Sequence, residues 1–359
     1  MTQKITTIVG ARPQFIKLAP FSKKVREKFR ETIVHTGQHY DPNMSDTFFQ
    51  ELDIPRPDYN LDIGSGSHGV QTGQMLIALE KVVEREKPDL IVVFGDTNST
   101  LAGAVVGSKL QIPVAHVEAG LRSFNRSMPE EINRIVADHC ASLLFAPTVT
   151  AVDNLAREGL AERTCVSGDI MLDTLQLNVP KAMKKEGILK EYNLTSKKYL
   201  LLTLHRPYTV DDITKLKSIL TVISEVEIPV IFPVHPRTRK MMIDNKLEVS
   251  ANIILTEPQG YLDFILLQMK ASKILTDSGG IQKEAYLLQV PCITIRPETE
   301  WIETVEAGWN LVVGNDAQKL RQAIHEFNPT GKQPAIFGTY SVAEKICGAI
   351  EKFLTKGKG

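Results

Sequence analysis

Short apolar runs rich in β-branched residues alternate with longer amphipathic stretches along almost the whole chain. The runs predict strands, and the stretches of helical period between them predict helices. Strands are predicted at residues 5–9, 32–36, 90–94, 114–117, 143–146, 199–204, 229–234, 253–256, 273–276, 292–295 and 310–313. Helices are predicted at residues 70–86, 262–271, 282–289 and 342–354. Near-continuous apolar strands separated by helices are typical of parallel sheets covered on both faces, so the pattern predicts an α/β protein.

The alternation is interrupted once, between Ser167 and Tyr199, where glycine, proline and a run of lysines replace it. The chain has 359 residues, which is long enough for two domains of roughly 100–200 residues each. We therefore predict two doubly wound domains with their boundary in this interval. Such domains bind ligands at the carboxyl ends of their strands, and most of the unusual polar residues follow predicted strands.

Composition narrows the possible partners. The 42 basic residues balance the 42 acidic ones, which gives no electrostatic reason to expect nucleic acid or an anionic membrane as a partner. No apolar run reaches the roughly 18 residues of a membrane span, and no signal peptide is recognised, so a cytoplasmic location is expected. The four cysteines form no CxxC pair, and we expect buried free thiols, no metal and no cofactor.

The strongest chemical signal is the segment Asp277-Ser278-Gly279-Gly280, which separates a predicted strand from a predicted helix. Glycines allow backbone N–H groups to approach an anion, and the helix N-terminus adds unpaired donors. Ser278 can donate its hydroxyl to a phosphate, and Glu284 could accept hydrogen bonds from ribose hydroxyls. The alternative is an ordinary strand–helix turn with a serine cap.

Two cations follow the first strand. Gly10 follows the strand and Pro13 suits a first helical turn, so Arg12 and Lys17 lie near a helix N-terminus. A cation gains nothing from the helix dipole at this end. The placement favours an anionic ligand, and the alternative is a pair of solvated surface cations.

Carboxylates follow two further strands and open one helix. Asp96 follows the strand at 90–94, Glu118 directly follows the strand at 114–117, and Glu130 and Glu131 begin a helix. Asp96 could simply cap a helix, and the glutamates could simply favour a first turn. Glu118 is harder to explain in this way, because a carboxylate at the end of a buried strand needs partners. Three carboxylates at one sheet edge would raise one another's pKa, which suits general acid–base catalysis.

The second half adds histidines and a polar loop. His205 and His235 each follow a predicted strand, and Arg296 begins a loop that reaches Trp301. A single histidine is more often structural than catalytic, and Trp301 could pack inward, so both interpretations stay open. No spacing of these histidines suggests a metal site.

In combination, these residues resemble the UDP-N-acetylglucosamine 2-epimerase family. The resemblance covers nearly the whole chain, and its specificity comes from the joint order and spacing of the motifs. The matching segments are Gly10-Ala11-Arg12-Pro13, Thr36-Gly37-Gln38-His39, Gly95-Asp96-Thr97, His116 to Arg122, Pro129 to Arg134, His205-Arg206, Val234-His235-Pro236, Asp277 to Glu284 and Thr299-Glu300.

The resemblance implies two Rossmann-like domains in a GT-B-type arrangement, with the active site and UDP in the cleft between them. It divides the chain at 1–170 and 171–341, with a C-terminal helix in 342–359 that joins the first domain, and it implies a homodimer. It also implies inversion at C2 of a UDP-sugar by anti elimination of UDP to a 2-acetamidoglucal, followed by re-addition.

The resemblance assigns roles to the candidate residues. Asp96, Glu118 and Glu130 match the acidic catalytic residues, and His205 matches the essential histidine. UDP-sugar binding is expected from a larger set, which comprises Arg12, Lys17, His235, Ser278, Gly279, Gly280, Glu284 and Arg296. Which acid removes the C2 proton stays open.

Several positions depart from the bacterial pattern, notably Pro207-Tyr208-Thr209, Lys283, Trp301 and the segment Gln38-His39-Tyr40-Asp41. The last only partly matches the allosteric UDP-GlcNAc site of bacterial members. The leading prediction is a non-hydrolysing UDP-GlcNAc 2-epimerase. The alternatives are a UDP-2,3-diacetamido-2,3-dideoxyglucuronate 2-epimerase, a hydrolysing epimerase, a GT-B glycosyltransferase and a nucleotide-sugar sensor without catalysis.

Overall fold

The computed structural model describes residues 2–38, 49–185 and 187–356. The chain forms two compact units, of which the first comprises Met1–Leu177 and Phe337–Gly359 and the second comprises Asn178–Ile336. The predicted division after residue 170 precedes this one, and the helix Met171–Ala182 runs across the boundary between the units. Residues 39–41 of the expected allosteric segment lie outside the described residues.

The first unit contains a parallel sheet of seven strands in the order β3-β2-β1-β4-β5-β6-β7. The order reverses between the neighbours β1 and β4, which creates a topological switch point at their carboxyl ends. The strands are β1 (Lys4–Val9), β2 (Arg30–His35), β3 (Tyr59–Asn60), β4 (Leu90–Phe94), β5 (Val114–Val117), β6 (Leu143–Ala146) and β7 (Thr164–Val166).

Helices cover this sheet. The last helix of the chain packs against the first, and Lys28 pairs with Glu351 at 2.6 Å, so the C-terminal segment belongs to this unit. The described helices of the unit are Arg12–Val25, His68–Glu86, Asn98–Lys109, Pro129–Cys140, Val149–Arg157 and Val342–Lys356, together with the part of Met171–Ala182 that precedes Asn178.

The second unit contains a parallel sheet of six strands in the order β10-β9-β8-β11-β12-β13, and its switch point lies between β8 and β11. The strands are β8 (Leu200–Thr203), β9 (Val230–Pro233), β10 (Ile253–Thr256), β11 (Lys273–Thr276), β12 (Cys292–Thr294) and β13 (Asn310–Val312). The helices are Gly187–Glu191, Pro207–Val210, Ile213–Ser224, Pro236–Asp244, Tyr261–Lys270, Gly279–Leu287, Ile302–Glu306 and Ala317–Glu326.

The predicted α/β class with parallel sheets is confirmed. Strand β4 illustrates the cause, because all five of its side chains are apolar and buried between helices. The sequence pattern missed β3 and β7, which have two and three residues, lie at the sheet edges and are not buried. In the described part of the chain, no helix has the length and hydropathy needed to cross a membrane.

The free-thiol prediction is wrong in one respect. Cys292 and Cys347 are free and buried, but Cys140 and Cys165 are free and only partly buried. Among the described residues, no group of three or more His, Cys, Asp and Glu side chains could hold a metal ion.

Candidate active-site residues

A tight turn after β1 forms part of the switch point of the first unit. A Cβ atom on Gly10 would lie 2.0 Å from Oγ1 of Thr36 and 2.3 Å from Oγ of Ser99, so only glycine fits. Gln14 accepts hydrogen bonds from the backbone N–H groups of Gly10 and Ala11, at 2.8 and 3.1 Å. Its amide also donates to the Phe94 carbonyl at 2.9 Å. This buried amide therefore ties the turn after β1 to the end of β4.

Lys17 and Glu118 form a buried ion pair at this edge. Nζ of Lys17 lies 2.5 Å from Oε1 of Glu118, and the side chains are 8% and 10% exposed. The alternative of a solvated surface cation is therefore wrong for Lys17. Glu118 has a φ of 72°, a strained conformation for a residue with a long side chain, and such strain concentrates at functional sites.

Asp96 lies on the neighbouring turn and pairs with Arg134. Nη2 of Arg134 lies 2.5 Å from Oδ2 of Asp96, and the side-chain amide of Asn133 donates to the Asp96 carbonyl at 2.9 Å. The helix cap at this position is Thr97, whose hydroxyl accepts from the Thr100 N–H at 3.2 Å. The alternative interpretation of Asp96 as an N-cap is therefore wrong, and its carboxylate is held by a cation.

The adjacent glutamates at the start of the helix Pro129–Cys140 have different environments. Glu131 is buried and accepts hydrogen bonds from N–H and Oγ of Ser123, N–H of Phe124, and the Arg134 guanidinium. Glu130 is only partly buried. Glu131 therefore braces the preceding loop, whereas the position of Glu130 is compatible with its predicted role toward a ligand.

Asp277 follows β11 and holds the loop after β8 at the switch point of the second unit. Its buried carboxylate accepts hydrogen bonds from the backbone N–H groups of His205 and Arg206, both at 2.9 Å. Nδ1 of His205 lies 3.1 Å from Oδ1 of Asp277. Asp277 therefore orients His205 and the loop after β8, a role that the motif alone did not indicate.

The environment of Asp277 makes stability depend on pH. Burial by itself raises the pKa of the carboxyl group, but His205 and the backbone donors lower it more, so the net pKa is below its ordinary value. A carboxyl group whose pKa is lower in the folded state stabilises that state above its unfolded pKa of about 3.9 and loses this contribution as the pH falls.

We expect the urea midpoint of the wild-type protein to fall on acidification below about pH 4. Asp277→Asn, which removes the titrating group, should show a shallower decline over the same interval. Urea unfolding followed by circular dichroism from about pH 3 to about pH 7 measures both curves. Equal slopes for the two proteins would contradict this assignment.

Ser278, Gly279 and Gly280 open the helix that follows. Ser278 occupies the N-cap position of this helix. Its hydroxyl makes no capping hydrogen bond within the described residues, so the prediction that the serine side chain caps the helix is wrong. A Cβ atom on Gly279 would lie 2.0 Å from Oε1 of Glu300. A Cβ atom on Gly280 would meet only Oγ of Ser278, at 4.0 Å, and Gly280 is exposed. A side chain at Gly279 would have to displace the Glu300 carboxylate, whereas Gly280 leaves open space at a helix N-terminus.

The two glycines therefore offer a matched pair of variants. Gly279→Ala should lower the free energy of unfolding by about 1–3 kcal/mol, because a close-packed site is overfilled. Gly280→Ala should leave stability almost unchanged, because the added methyl group meets open space. The UDP-binding role that the resemblance implies for Gly280 predicts that the same variant binds UDP about tenfold more weakly. Thermal unfolding and calorimetric titration with UDP check both outcomes. Wild-type UDP affinity in Gly280→Ala would place the diphosphate elsewhere.

His235 has a local structural role as well as a position near His205. Its Nδ1 accepts a hydrogen bond from the Arg237 N–H at 3.2 Å and caps the helix Pro236–Asp244. The rings of His235 and His205 have centroids 5.6 Å apart. The two histidines are therefore neighbours at the carboxyl edge of the second sheet.

Glu284 is buried and already has protein partners. Its carboxylate accepts from Gln268 at 2.7 Å and from the Tyr261 hydroxyl at 3.3 Å. Burial and the nearby Glu284 carboxylate raise the pKa of Tyr261 well above its ordinary value. These contacts fix the carboxylate, and its predicted contact with ribose stays a prediction.

Arg296 is almost completely buried. Its Nη2 lies 3.0 Å from Oε2 of Glu300, but no guanidinium nitrogen makes a well-directed hydrogen bond within the described residues. Trp301 is 2% exposed, with Nζ of Lys283 4.6 Å from its ring centroid, so the inward-packed interpretation is confirmed. Lys283 and Trp301, two departures from the bacterial pattern, thus contact each other.

The structure therefore gathers the sequence candidates into one set in each unit. The first holds Lys17, Asp96 and Glu118, with Arg12 at the first position of the adjoining helix. The second holds His205, His235 and the Ser278–Gly280 turn. Sequence reasoning missed Arg134 and Asp277 as partners of these residues. Both lie inside recognised motifs, but only contacts between distant positions reveal what they hold.

The family model described as UDP-N-acetylglucosamine 2-epimerase matches residues 23–351. A Methanococcus maripaludis UDP-N-acetylglucosamine 2-epimerase homolog is 54% identical over 92% of this chain and 94% of its own length. The UDP-2,3-diacetamido-2,3-dideoxy-D-glucuronate 2-epimerase of Pseudomonas aeruginosa is 47% identical over 87% of this chain and 88% of its own.

A solved structure is similar over nearly the whole chain. The Methanocaldococcus jannaschii UDP-GlcNAc 2-epimerase, crystallised with UDP-GlcNAc and UDP, has a TM-score of 0.93 and 46% identity, and covers 98% of this chain and 100% of its own. The family model spans most of the chain, and the two relatives are 54% and 47% identical to it over most of their own lengths. The chain therefore belongs to the UDP-N-acetylglucosamine 2-epimerase family and is an isomerase of that type.

Proposed function

We propose that this protein interconverts UDP-GlcNAc and UDP-ManNAc without net hydrolysis. The observation that carries the proposal is the set of carboxylates at the first switch point, Asp96 and Glu118, each paired with a cation. The similarity to the M. jannaschii enzyme, crystallised with UDP-GlcNAc and UDP, supports the choice of substrate.

The reaction requires the removal of a C2 proton that is not acidic in the substrate. The proton at C2 of an N-acetylhexosamine has no adjacent carbonyl group, so it becomes acidic only as the bond from C1 to the diphosphate oxygen breaks. Anti elimination then yields UDP and a 2-acetamidoglucal, and UDP adds back after a proton reaches the opposite face of C2. The enzyme must therefore supply carboxylates for C2 and hold UDP both as leaving group and as nucleophile.

The residues divide these tasks. We assign the movement of the C2 proton to Asp96, Glu118 and Glu130, of which the first two are held by Arg134 and Lys17. His205, oriented by Asp277, is assigned to the leaving diphosphate. Arg12 and the Ser278–Gly280 turn are assigned to binding that diphosphate through a cation and helix N-terminal donors.

A second candidate substrate is supported by one comparison. The P. aeruginosa relative, whose name specifies UDP-2,3-diacetamido-2,3-dideoxy-D-glucuronate, is 47% identical to this chain. The chemistry at C2 would be the same, and only contacts to the substituents at C3 and C5 would differ. The predicted homodimer and the cytoplasmic location stay predictions.

NMR analysis of the purified protein with each of the two UDP-sugars in separate tubes tests the proposal. Formation of UDP-ManNAc from UDP-GlcNAc, with no accumulation of free UDP, is the expected result. Conversion of only the diacetamido-uronate would select the second candidate. Release of free ManNAc and UDP would show a hydrolysing enzyme, and no change without an acceptor sugar would point to glycosyl transfer.

A further inference from the structure

The imidazole of His116 links three elements next to the turn that carries Asp96. The ring is completely buried. Its Nε2 lies 2.7 Å from the carbonyl oxygen of Gly95, and its Nδ1 lies 2.7 Å from Oδ1 of Asp138. The ring thus connects β5, on which it lies, with the end of β4 and with the helix Pro129–Cys140.

Both partners of this ring are hydrogen-bond acceptors. A carbonyl oxygen has no proton to donate, and an ionised carboxylate has none either. The Asp138 carboxylate has partners other than the ring, because its Oδ2 lies 2.8 Å from Nη1 of Arg122 and accepts a hydrogen bond from the Gly120 N–H at 3.1 Å. A carboxylate held by a guanidinium and a backbone donor is ionised at neutral pH. A neutral imidazole has a single N–H and would turn a lone pair toward one of the two oxygens.

We propose that His116 carries protons on both ring nitrogens and, as a buried imidazolium, acts as a positioning residue that fixes the Gly95–Asp96 turn. The positioning half of this inference rests on the proposed function, because that function assigns Asp96 to acid–base work. The protonation half does not depend on that function and rests on the two ring hydrogen bonds and on the ionised Asp138.

The surrounding charges offset the buried cation. Oδ2 of Asp138 lies 2.8 Å from Nη1 of Arg122, and Arg122 also contacts both carboxylate oxygens of Glu158 at 2.7 Å. Two cations and two carboxylates therefore balance within one hydrogen-bonded network. His139 lies at its solvent side, 3.2 Å from Glu158. A buried charge is tolerated where it is paired and fully hydrogen-bonded in this way.

The turn that His116 holds also contacts the other acid of the site. Gly95 has a φ of 64°, and a Cβ atom there would lie 3.2 Å from Nζ of Lys17 and 3.4 Å from Oε1 of Glu118. Asp96 follows directly and is paired with Arg134. Loss of one ring proton would release either the Gly95 carbonyl or Asp138, and the turn between the two acids would lose its anchor.

Proton-detected NMR of protein labelled with ¹⁵N-histidine tests the protonation state directly. We expect N–H signals from both ring nitrogens of His116 at neutral pH, identified by their absence in His116→Gln. In Asp138→Asn, the asparagine amide can donate to a neutral Nδ1, so only the Nε2–H signal should remain. A single ring N–H in the wild type, or two in Asp138→Asn, would overturn the inference.

Kinetics of the same variants test the positioning role. His116→Gln should lower kcat about 100-fold with little change in KM, because the acid-bearing turn is misplaced. Asp138→Asn should retain more activity, since it keeps the bond to Gly95. Wild-type turnover by a folded His116→Gln, checked by near-UV circular dichroism, would refute positioning. If the wild type converted no UDP-sugar, the proposed function would be wrong, but two ring N–H signals would still show that His116 is doubly protonated.

Discussion

Replacing Glu118 by glutamine is expected to lower the rate of C2 epimerisation by about 10²- to 10⁴-fold, the usual contribution of a general acid or base. The amide keeps the shape of the side chain but cannot take up or release the C2 proton. The substitution also leaves the ammonium of Lys17, 8% exposed, without its carboxylate partner at 2.5 Å. Stability should therefore fall as well, by up to about 3–5 kcal/mol for a buried pair that loses one partner.

A double variant separates these two effects. Lys17→Met combined with Glu118→Gln removes both charges, so much of the lost stability should return while catalysis stays low. The comparison needs thermal unfolding and steady-state epimerisation rates for the two single variants and the double variant. Recovery of activity together with stability would mean that Glu118 acts through folding and not through the proton.

The neighbouring glutamates Glu130 and Glu131 should respond to the same substitution in opposite ways. Glu130→Gln is expected to lower kcat by about 10²- to 10⁴-fold, as for a catalytic carboxylate, with a smaller loss of stability than at Glu131, because Glu130 is only partly buried. Glu131→Gln should lower the free energy of unfolding by about 1–3 kcal/mol, because a buried group that accepts from Ser123, Phe124 and Arg134 loses an acceptor oxygen.

Each member of this pair is the control for the other, since the change in charge and volume is identical. Rates of epimerisation and urea midpoints of both variants provide the measurement. Equal losses of kcat in the two variants, at equal stability, would contradict the distinction drawn from their burial. An Arg134→Lys variant would add a useful third point, because lysine cannot reach both Asp96 and Glu131 with a planar fork.

The sequence was sufficient for the strands that build both cores. Runs such as Leu90–Phe94 are apolar at every position, and their boundaries were predicted correctly because a buried parallel strand has no polar face. Strands β3 and β7 are too short to show any period, and their position in the sheet depends on pairing with a distant neighbour. The pattern of apolar and polar residues within a strand carries no information about such pairing.

The candidate site, like the fold, could be predicted from the sequence only in part. The carboxyl ends of β1, β4, β5, β8, β9, β11 and β12 bear most of the residues selected from the sequence, because the position of a polar residue after a strand can be read locally. The partner of each residue cannot be read in this way. Lys17 and Glu118 are separated by 101 positions, and His205 and Asp277 by 72, yet each pair is in contact.

Inward-facing residues were the main source of error. Asp277 belongs to the motif first interpreted as an anion cradle, but its carboxylate is turned away from solvent and holds the loop of His205. Thr97 takes the capping role considered for Asp96. In both cases neighbouring polar residues could exchange roles without altering the sequence pattern, and only side-chain direction distinguishes them.

Deuterium incorporation at C2 is the most direct test of the central claim, which is that carboxylates at the edge of the first sheet move the C2 proton. The wild-type protein and Glu118→Gln are incubated with UDP-GlcNAc in D₂O, and the C2 position of both epimers is followed by NMR. We predict deuterium at C2 of UDP-GlcNAc and UDP-ManNAc with the wild type, and strongly slowed incorporation with the variant. Epimerisation without deuterium at C2, or equal incorporation by both proteins, would contradict the account.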